Sequence, residues 1–219
     1  MRIETVIFDY DGTLVHLNIN FRVMRQGVEK FLADYGIEPG RLKEFYILEM
    51  IDEATRLISE KNPSEGHYFY YKALAIVTEH EVRAAKKGKI FPGVINMLKL
   101  LGKRGVKVGI ITRNCNKAVK MVFPSIESYC DVFIPRDYVT RVKPHPDHLA
   151  LTLKKMAVKN LACCFMVGDH VLDIEGGKRM GMKTVGVLTG KATRQDFVQA
   201  GTDFILDDVT EIPGCIFEE

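Results

Sequence analysis

Short apolar runs rich in β-branched residues recur along the chain at positions 5–8, 106–111, 132–134, 162–167, 184–188 and 204–206. Most are continuously apolar rather than alternating, which is the pattern of strands buried on both faces. Between them the periodicity turns helical. It is clearest over 92–103, where Val94, Ile95, Met97, Leu98, Leu100 and Leu101 are apolar and Gly105 stands just past the end. Positions 146–156 and 174–180 read the same way, the second stopped by Gly181. Strands alternating with helices predict an α/β fold around an open, central parallel sheet.

Residues 17–87 break this alternation. They hold no convincing strand and read as three or more helices, near 21–35, 41–60 and 64–87, with breaks at 36–40 and at Asn62-Pro63. In the second of these, Leu42, Phe45, Ile47, Leu48, Ile51, Leu57 and Ile58 fall at helical spacing. Such a block is too long for an ordinary crossover between strands. The expected organisation is a core made of 1–16 and 88–219, with 17–87 inserted as a helical subdomain.

Composition narrows the function classes. The 219 residues carry a formal net charge of +3, with basic residues scattered, so a strongly basic face for nucleic acid is not expected. No apolar run approaches the ~18 residues of a membrane span. Asp9 and Asp11 interrupt any apolar region near the N-terminus, so no signal peptide is expected and the expected location is cytoplasmic. The five cysteines include the adjacent pair Cys163-Cys164 inside an apolar run and no CxxC pair. That suits reduced core thiols better than a disulfide framework or a zinc site.

The first strand runs into an electrostatic problem. In VIFDYDGTLV, residues 6–15, two carboxylates stand one residue apart where a buried strand ends. Like charges that close raise each other's proton affinity unless a cation lies between them. Ligands of open parallel sheets bind beyond the carboxyl ends of the strands. There the run 106–111 delivers Thr112, Arg113 and Asn114, and the run 162–167 delivers Gly168 and Asp169, with Asp173 four residues on. The segment RVKPHPD places Lys143 in a proline-bounded loop before a helix. Asp9 and Asp169 can share a magnesium ion, a hard cation that prefers oxygen ligands and bridges to phosphate. A carboxylate such as Asp9 is a competent nucleophile towards phosphorus, and Asp11 can move protons beside it. Thr112 and Lys143 can hold the oxygens of a transferring phosphoryl group.

These stretches resemble, in order, the four motifs of the haloacid dehalogenase superfamily. FDYDGTLV is similar to the first motif, IITRN to the second, RVKPHPD to the third and VGDHVLDIEGGKRMGMKTVGV to the fourth. The helical block lies where subfamily I members, such as phosphoglycolate phosphatase-like enzymes, carry a C1 cap. The resemblance implies a Rossmann-like catalytic core with a C1-type helical cap and a magnesium-dependent phosphatase acting on a small phosphorylated metabolite. By position it implies Asp9 as nucleophile, Asp11 as general acid and base, and an aspartyl-phosphate intermediate. Magnesium would be held by the Asp9 carboxylate, the Asp11 backbone carbonyl and Asp169. Thr112, Arg113 and Lys143 would bind the phosphoryl group, and Asp173 would support the metal or orient Lys143. Two departures bear on substrate choice: Val15 leads to His16-Leu17 where close relatives often continue V-D-S, and Arg113 stands where many have Asn. A phosphomutase of the same family and a non-catalytic phospho-ligand-binding module are the alternative readings.

Other patterns carry less. A calcium loop counted from Asp9 would put Leu14 at its glycine and Asn20 at its bidentate acid. Gly190-Lys191 fails as a phosphate loop, because Ala192 follows and Val185 replaces the first glycine. His145 and His148 flank Asp147 but read as surface histidines. Tyr68, Phe69, Tyr70 and Tyr71 suit helix packing or a pocket lining, and His16, Asn18, Arg22 and Arg25 are candidates for specificity. Asp173 is also a candidate N-cap for the following helix.

Overall fold

The computed structural model describes residues 3–43 and 45–217. In chain order the regular elements are β1 (Thr5–Phe8), β2 (Val15–His16), α1 (Phe21–Ala33), α2 (Ile47–Ser59), α3 (Pro63–Ala85), β3 (Lys89–Ile90), α4 (Val94–Lys103), β4 (Lys107–Ile111) and α5 (Asn116–Val122). They continue with β5 (Val132–Ile134), α6 (Pro146–Lys155), β6 (Cys164–Gly168), α7 (Val171–Arg179), β7 (Lys183–Val187), α8 (Arg194–Gln199), β8 (Phe204–Leu206) and α9 (Ile212–Phe217). Two compact units result, residues 1–17 with 87–219, and residues 18–86.

The first unit is built on six parallel strands in the order β5-β4-β1-β6-β7-β8. β1 lies at the centre, with Phe8 opposite Ile110 on one side and Val167 on the other. All four of its residues are buried, as a continuously apolar strand requires when helices cover both faces. On one face Ile7, Ile111, Ile134 and Met166 pack with Leu149 and Leu153 of α6. A two-stranded antiparallel ribbon, with Val15 opposite Ile90 and His16 opposite Lys89, was not legible in the sequence. Two residues a side give no periodicity to detect. The short helices α5, α8 and α9 escaped for the same reason.

Helix starts follow local capping. α7 begins at Val171 rather than 174, because His170 and Asp173 form a reciprocal capping box there. Thr193 and Asp196 do the same for α8. Asp173 is therefore the third helical residue and not the N-cap.

The second unit is helical. Met24, Val28 and Leu32 of α1, Ile51, Ala54 and Ile58 of α2, and Phe69, Ala73 and Val77 of α3 are its buried faces. Phe69 is fully buried and stacks on Phe31 at 5.3 Å, while Tyr68 and Tyr71 are exposed. The helix expected over 41–60 is split into a 3-10 turn at Pro39–Leu42 and α2 from Ile47. Arg25 explains the break: its guanidinium donates to the carbonyls of Leu42, Lys43 and Phe45, satisfying acceptors between the two pieces. Arg25 thus serves packing within this unit. All five cysteines are free thiols, Cys164 fully buried, and no helix among the described residues is long and apolar enough to cross a membrane.

β7 and α8 meet at Gly186, where a Cβ would stand 2.7 Å from ring carbons of the fully buried Phe197. Gly186→Ala is therefore expected to cost about 1–3 kcal/mol by overpacking. The check is urea unfolding, with a lower midpoint at unchanged slope.

Candidate active site

β1 is flanked by β4 and β6, so the strand order reverses at β1 and the loops after these three strands open a crevice there. Asp9 extends β1 by one residue, its amide donating to the Val167 carbonyl at 2.8 Å. Asp169 follows directly on β6, and Asp173 lies one turn into α7. These placements bring one carboxylate oxygen of each of Asp9, Asp169 and Asp173 within 4.8 Å of one another, all three residues buried. The ammonium of Lys143, only 4% exposed, reaches in from the loop before α6. It pairs with Asp9 Oδ1 and donates to Asp173 Oδ1 at 2.5 Å. Asp173 Oδ2 meanwhile accepts from the His170 amide at 3.2 Å, so one side chain both closes the α7 capping box and holds Lys143.

The backbone of Lys143 is fixed by residues the sequence did not single out for that role. Its amide donates to His148 Nδ1 at 3.2 Å, and its carbonyl accepts from Arg113 Nη1 at 2.5 Å. His148 Nε2 donates to the Ile134 carbonyl at 3.0 Å, which fixes the neutral tautomer because Nδ1 is the acceptor. His148 is fully buried, correcting the expectation of a surface histidine. Its position one turn into α6 puts the ring under the Lys143 loop, a long-range contact with no periodic signature. His145 is the N-cap of α6, its Nδ1 accepting from the Asp147 amide. Arg136, also buried, donates to the Arg113 carbonyl at 3.0 Å and so braces the turn after β4.

The other expected residues sit around this cluster. Thr112 follows directly on β4, is 1% exposed, and accepts from the Asn114 amide at 3.1 Å. The Arg113 guanidinium reaches the Lys143 carbonyl through Nη1 alone. Asp11 is outside the trio of carboxylates: its Oδ1 accepts from the Leu17 amide at 3.0 Å. Tyr10, between the two acids, faces away as an extended chain dictates, its hydroxyl donating to the Val119 carbonyl at 3.2 Å. Gly12 takes φ +87°, and a Cβ there would lie 2.3 Å from Asp169 Oδ2. Only glycine tolerates both the turn and the approach of that carboxylate.

Burial and like charge oppose ionisation of Asp169 and Asp173. Burial raises the proton affinity of Asp169, and the charges of Asp9 and Asp173 raise it further. Burial also raises that of Asp173, against the pull of Lys143. For Lys143 burial works against the ammonium, but Asp173 and Asp9 outweigh it and hold the charged form. Three buried carboxylates lie together and the Lys143 ammonium is bonded to two of them, so keeping all three ionised requires more positive charge. The donors are all oxygens, which fits a hard divalent cation such as magnesium. A cationic ligand beside Asp169 would reverse the rise in its proton affinity.

Residues 6–187 match the haloacid dehalogenase-like hydrolase family, and the chain belongs to that family of hydrolytic enzymes. Pyrophosphatase PpaX of Bacillus cereus (strain ATCC 10987) is 29% identical over 218 residues, covering 97% of this chain and 95% of that protein. Among solved structures, a haloacid dehalogenase-like hydrolase from Bacteroides fragilis superposes with TM-score 0.69 at 20% identity, over 96% of this chain and 100% of the other. A predicted phosphoglycolate phosphatase from Haemophilus somnus superposes with TM-score 0.65 at 18% identity, over 98% of each chain. These two share the fold with the α/β chain described above.

His148 gives a pH test of how the Lys143 loop is held. Burial, above all, lowers its pKa from 6.5 to about 4, so the folded protein keeps it neutral where the unfolded chain takes up a proton. Stability from this group is therefore lost as pH falls from about 6.5 towards 4, at up to ~1.4 kcal/mol per pH unit. His148→Gln lacks this dependence. It is expected to be less stable than the parent at pH 7, with the gap narrowing by roughly 2–3 kcal/mol by pH 4.5. Urea unfolding of both proteins across that range is the measurement.

Proposed function

We propose that this hydrolase is a magnesium-dependent phosphatase of small phosphorylated metabolites, a phosphoglycolate-like or sugar phosphate monoester, acting through an aspartyl-phosphate on Asp9. The observation that carries the reading is the buried Asp9–Lys143–Asp173 contact beside Asp169 at the sheet's switch point. It sets a carboxylate nucleophile against an ammonium that can receive the charge of a phosphoryl group.

In this reading an Asp9 carboxylate oxygen attacks phosphorus, the ester P–O bond breaks, and Asp11 gives its proton to the leaving oxygen. Asp11 then takes a proton from water, the water oxygen attacks the phosphorus of the aspartyl-phosphate, and phosphate leaves with Asp9 restored. Lys143, Thr112 and Arg113 hold the phosphoryl oxygens, and the Leu17 amide fixes one oxygen of Asp11. Asp9, the Asp11 carbonyl and Asp169 would hold the metal, and Asp173 acts through Lys143. When bound, magnesium supplies positive charge that offsets carboxylate repulsion and the charge of the substrate. Residues 17–87 are assigned as the cap that selects the substrate, and the location as cytoplasmic. The relation to the Bacillus cereus pyrophosphatase favours inorganic pyrophosphate as a second substrate, its anhydride bond open to the same pair of acids.

Phosphate release from a panel of phosphometabolites, pyrophosphate and an aryl phosphate tests this. Activity is expected with magnesium, to be lost in EDTA and restored by added magnesium. Asp9→Asn is expected to fall to background with the fold kept, because Asp173 still pairs with Lys143, and Asp11→Asn to lose about 10²–10⁴-fold. Full activity in Asp9→Asn overturns the mechanism. A rearranged sugar phosphate without released phosphate marks a phosphomutase, and binding without turnover marks a phospho-ligand-binding module.

A further inference from the structure

At 23 residues α3 is the longest helix among the described residues, and its outward face carries a regular charge pattern. Glu65, Lys72, Glu79 and Lys86 stand seven residues apart, two turns each, so they fall nearly on one line along the helix. Lys86 is the C-cap and keeps helical backbone geometry, so it continues that line. All four side chains are exposed, and their charges alternate in sign. Tyr68, 55% exposed, and the exposed Ala75 lie between them on the same line. The buried residues Phe69, Ala73 and Val77 take the other side of the helix. Local contacts lay the stripe's side chains along the helix: Lys72 Nζ stands over the Tyr68 ring at 5.5 Å, and Arg83 donates to Glu79 at 2.5 Å.

A line of charges that alternates from acid to base in one direction alternates from base to acid in the other. Two copies of α3 laid antiparallel, about a two-fold axis between positions 75 and 76, therefore meet with opposite signs throughout. Glu65 faces Lys86 of the second copy and Lys72 faces its Glu79, four pairs in all, while Arg83 comes opposite the Tyr68 ring. Ala75, at the axis, is small enough for the helices to approach. A parallel pairing in register sets like charge on like and is disfavoured. We propose that this face of α3 is a self-association surface, and that its partner is a second copy of this chain docked antiparallel. Exposed ion pairs contribute little each, so they fix orientation and register more than affinity. The stripe from Glu65 to Lys86 is about 31 Å long and about 10 Å wide. That is roughly 300 Å² per copy, against the ~800 Å² of a stable interface, so the dimer is weak and reversible.

Sedimentation equilibrium of the full chain, from about 1 to about 500 μM, tests this. The average mass is expected to climb with concentration from that of one chain towards that of two, and to climb less in high salt. Lys72→Glu and Glu79→Lys are each expected to weaken the dimer by about tenfold or more, because each creates two like-charge pairs across the axis. An equimolar mixture of these two variants is expected to regain the parent's association, since the mixed dimer again holds only opposite-sign pairs. The double variant Lys72→Glu/Glu79→Lys is expected to do the same. Circular dichroism is expected to show unchanged helix content throughout, and rescue in the mixture separates lost docking from lost folding. A parent that stays monomeric, single variants that dimerise like the parent, or a mixture and double variant as weak as the singles overturns the proposal.

Discussion

Much of this molecule is arranged around one buried ammonium. Lys143 carries a full charge in a place almost closed to solvent, which is tolerable only because Asp9 and Asp173 meet it there. Breaking such a pair by removing one partner costs about 3–5 kcal/mol, because the remaining charge is stranded. The three residues come from the end of β1, the loop before α6 and the first turn of α7. Satisfying that charge therefore fixes the mutual placement of three otherwise separate segments. The same contact keeps Asp9 close to a positive charge and Asp173 tied to the start of its helix.

Backbone and side chains together close around this contact, the Thr13 hydroxyl donating to Asp169 Oδ1 at 3.4 Å. Gly12 and Gly190 bring main chain against the carboxylate of Asp169, leaving no room for a Cβ at either position. The Lys143 loop hangs from the His148 ring and the Arg113 guanidinium, and Arg113 is itself braced by Arg136. A chain of neutral and charged donors thus carries rigidity from the core of α6 outward to the acids. Such support suits a site that must hold carboxylates near one another against their repulsion, since displacement by about an ångström costs heavily in positioning.

The α/β character was legible because strands covered on both faces must be apolar throughout, and the runs at β1, β4 and β6 show that directly. The acids at their ends were legible because the carboxyl edge of such a sheet is where polar residues gather. His148 was misread, since one histidine near a helix start carries no sign of what it will meet; only the fold set it beneath residue 143. Arg25 was a candidate for specificity and proved to bind carbonyls of its own unit, because those carbonyls lie 17 to 20 residues away along the chain. The ribbon of β2 and β3 has two residues a side, too few for any period.

By itself, then, the sequence determined the class of fold and marked Asp9, Thr112, Lys143 and Asp169 as candidates, because periodicity and residue chemistry are local properties. Tertiary structure decided which acids share an oxygen cluster, that Asp173 belongs to it while the Asp11 carboxylate turns to the Leu17 amide, and that the Thr189 hydroxyl donates to the Gly12 carbonyl. Those outcomes depend on distances between segments up to 177 residues apart, and no local pattern encodes them.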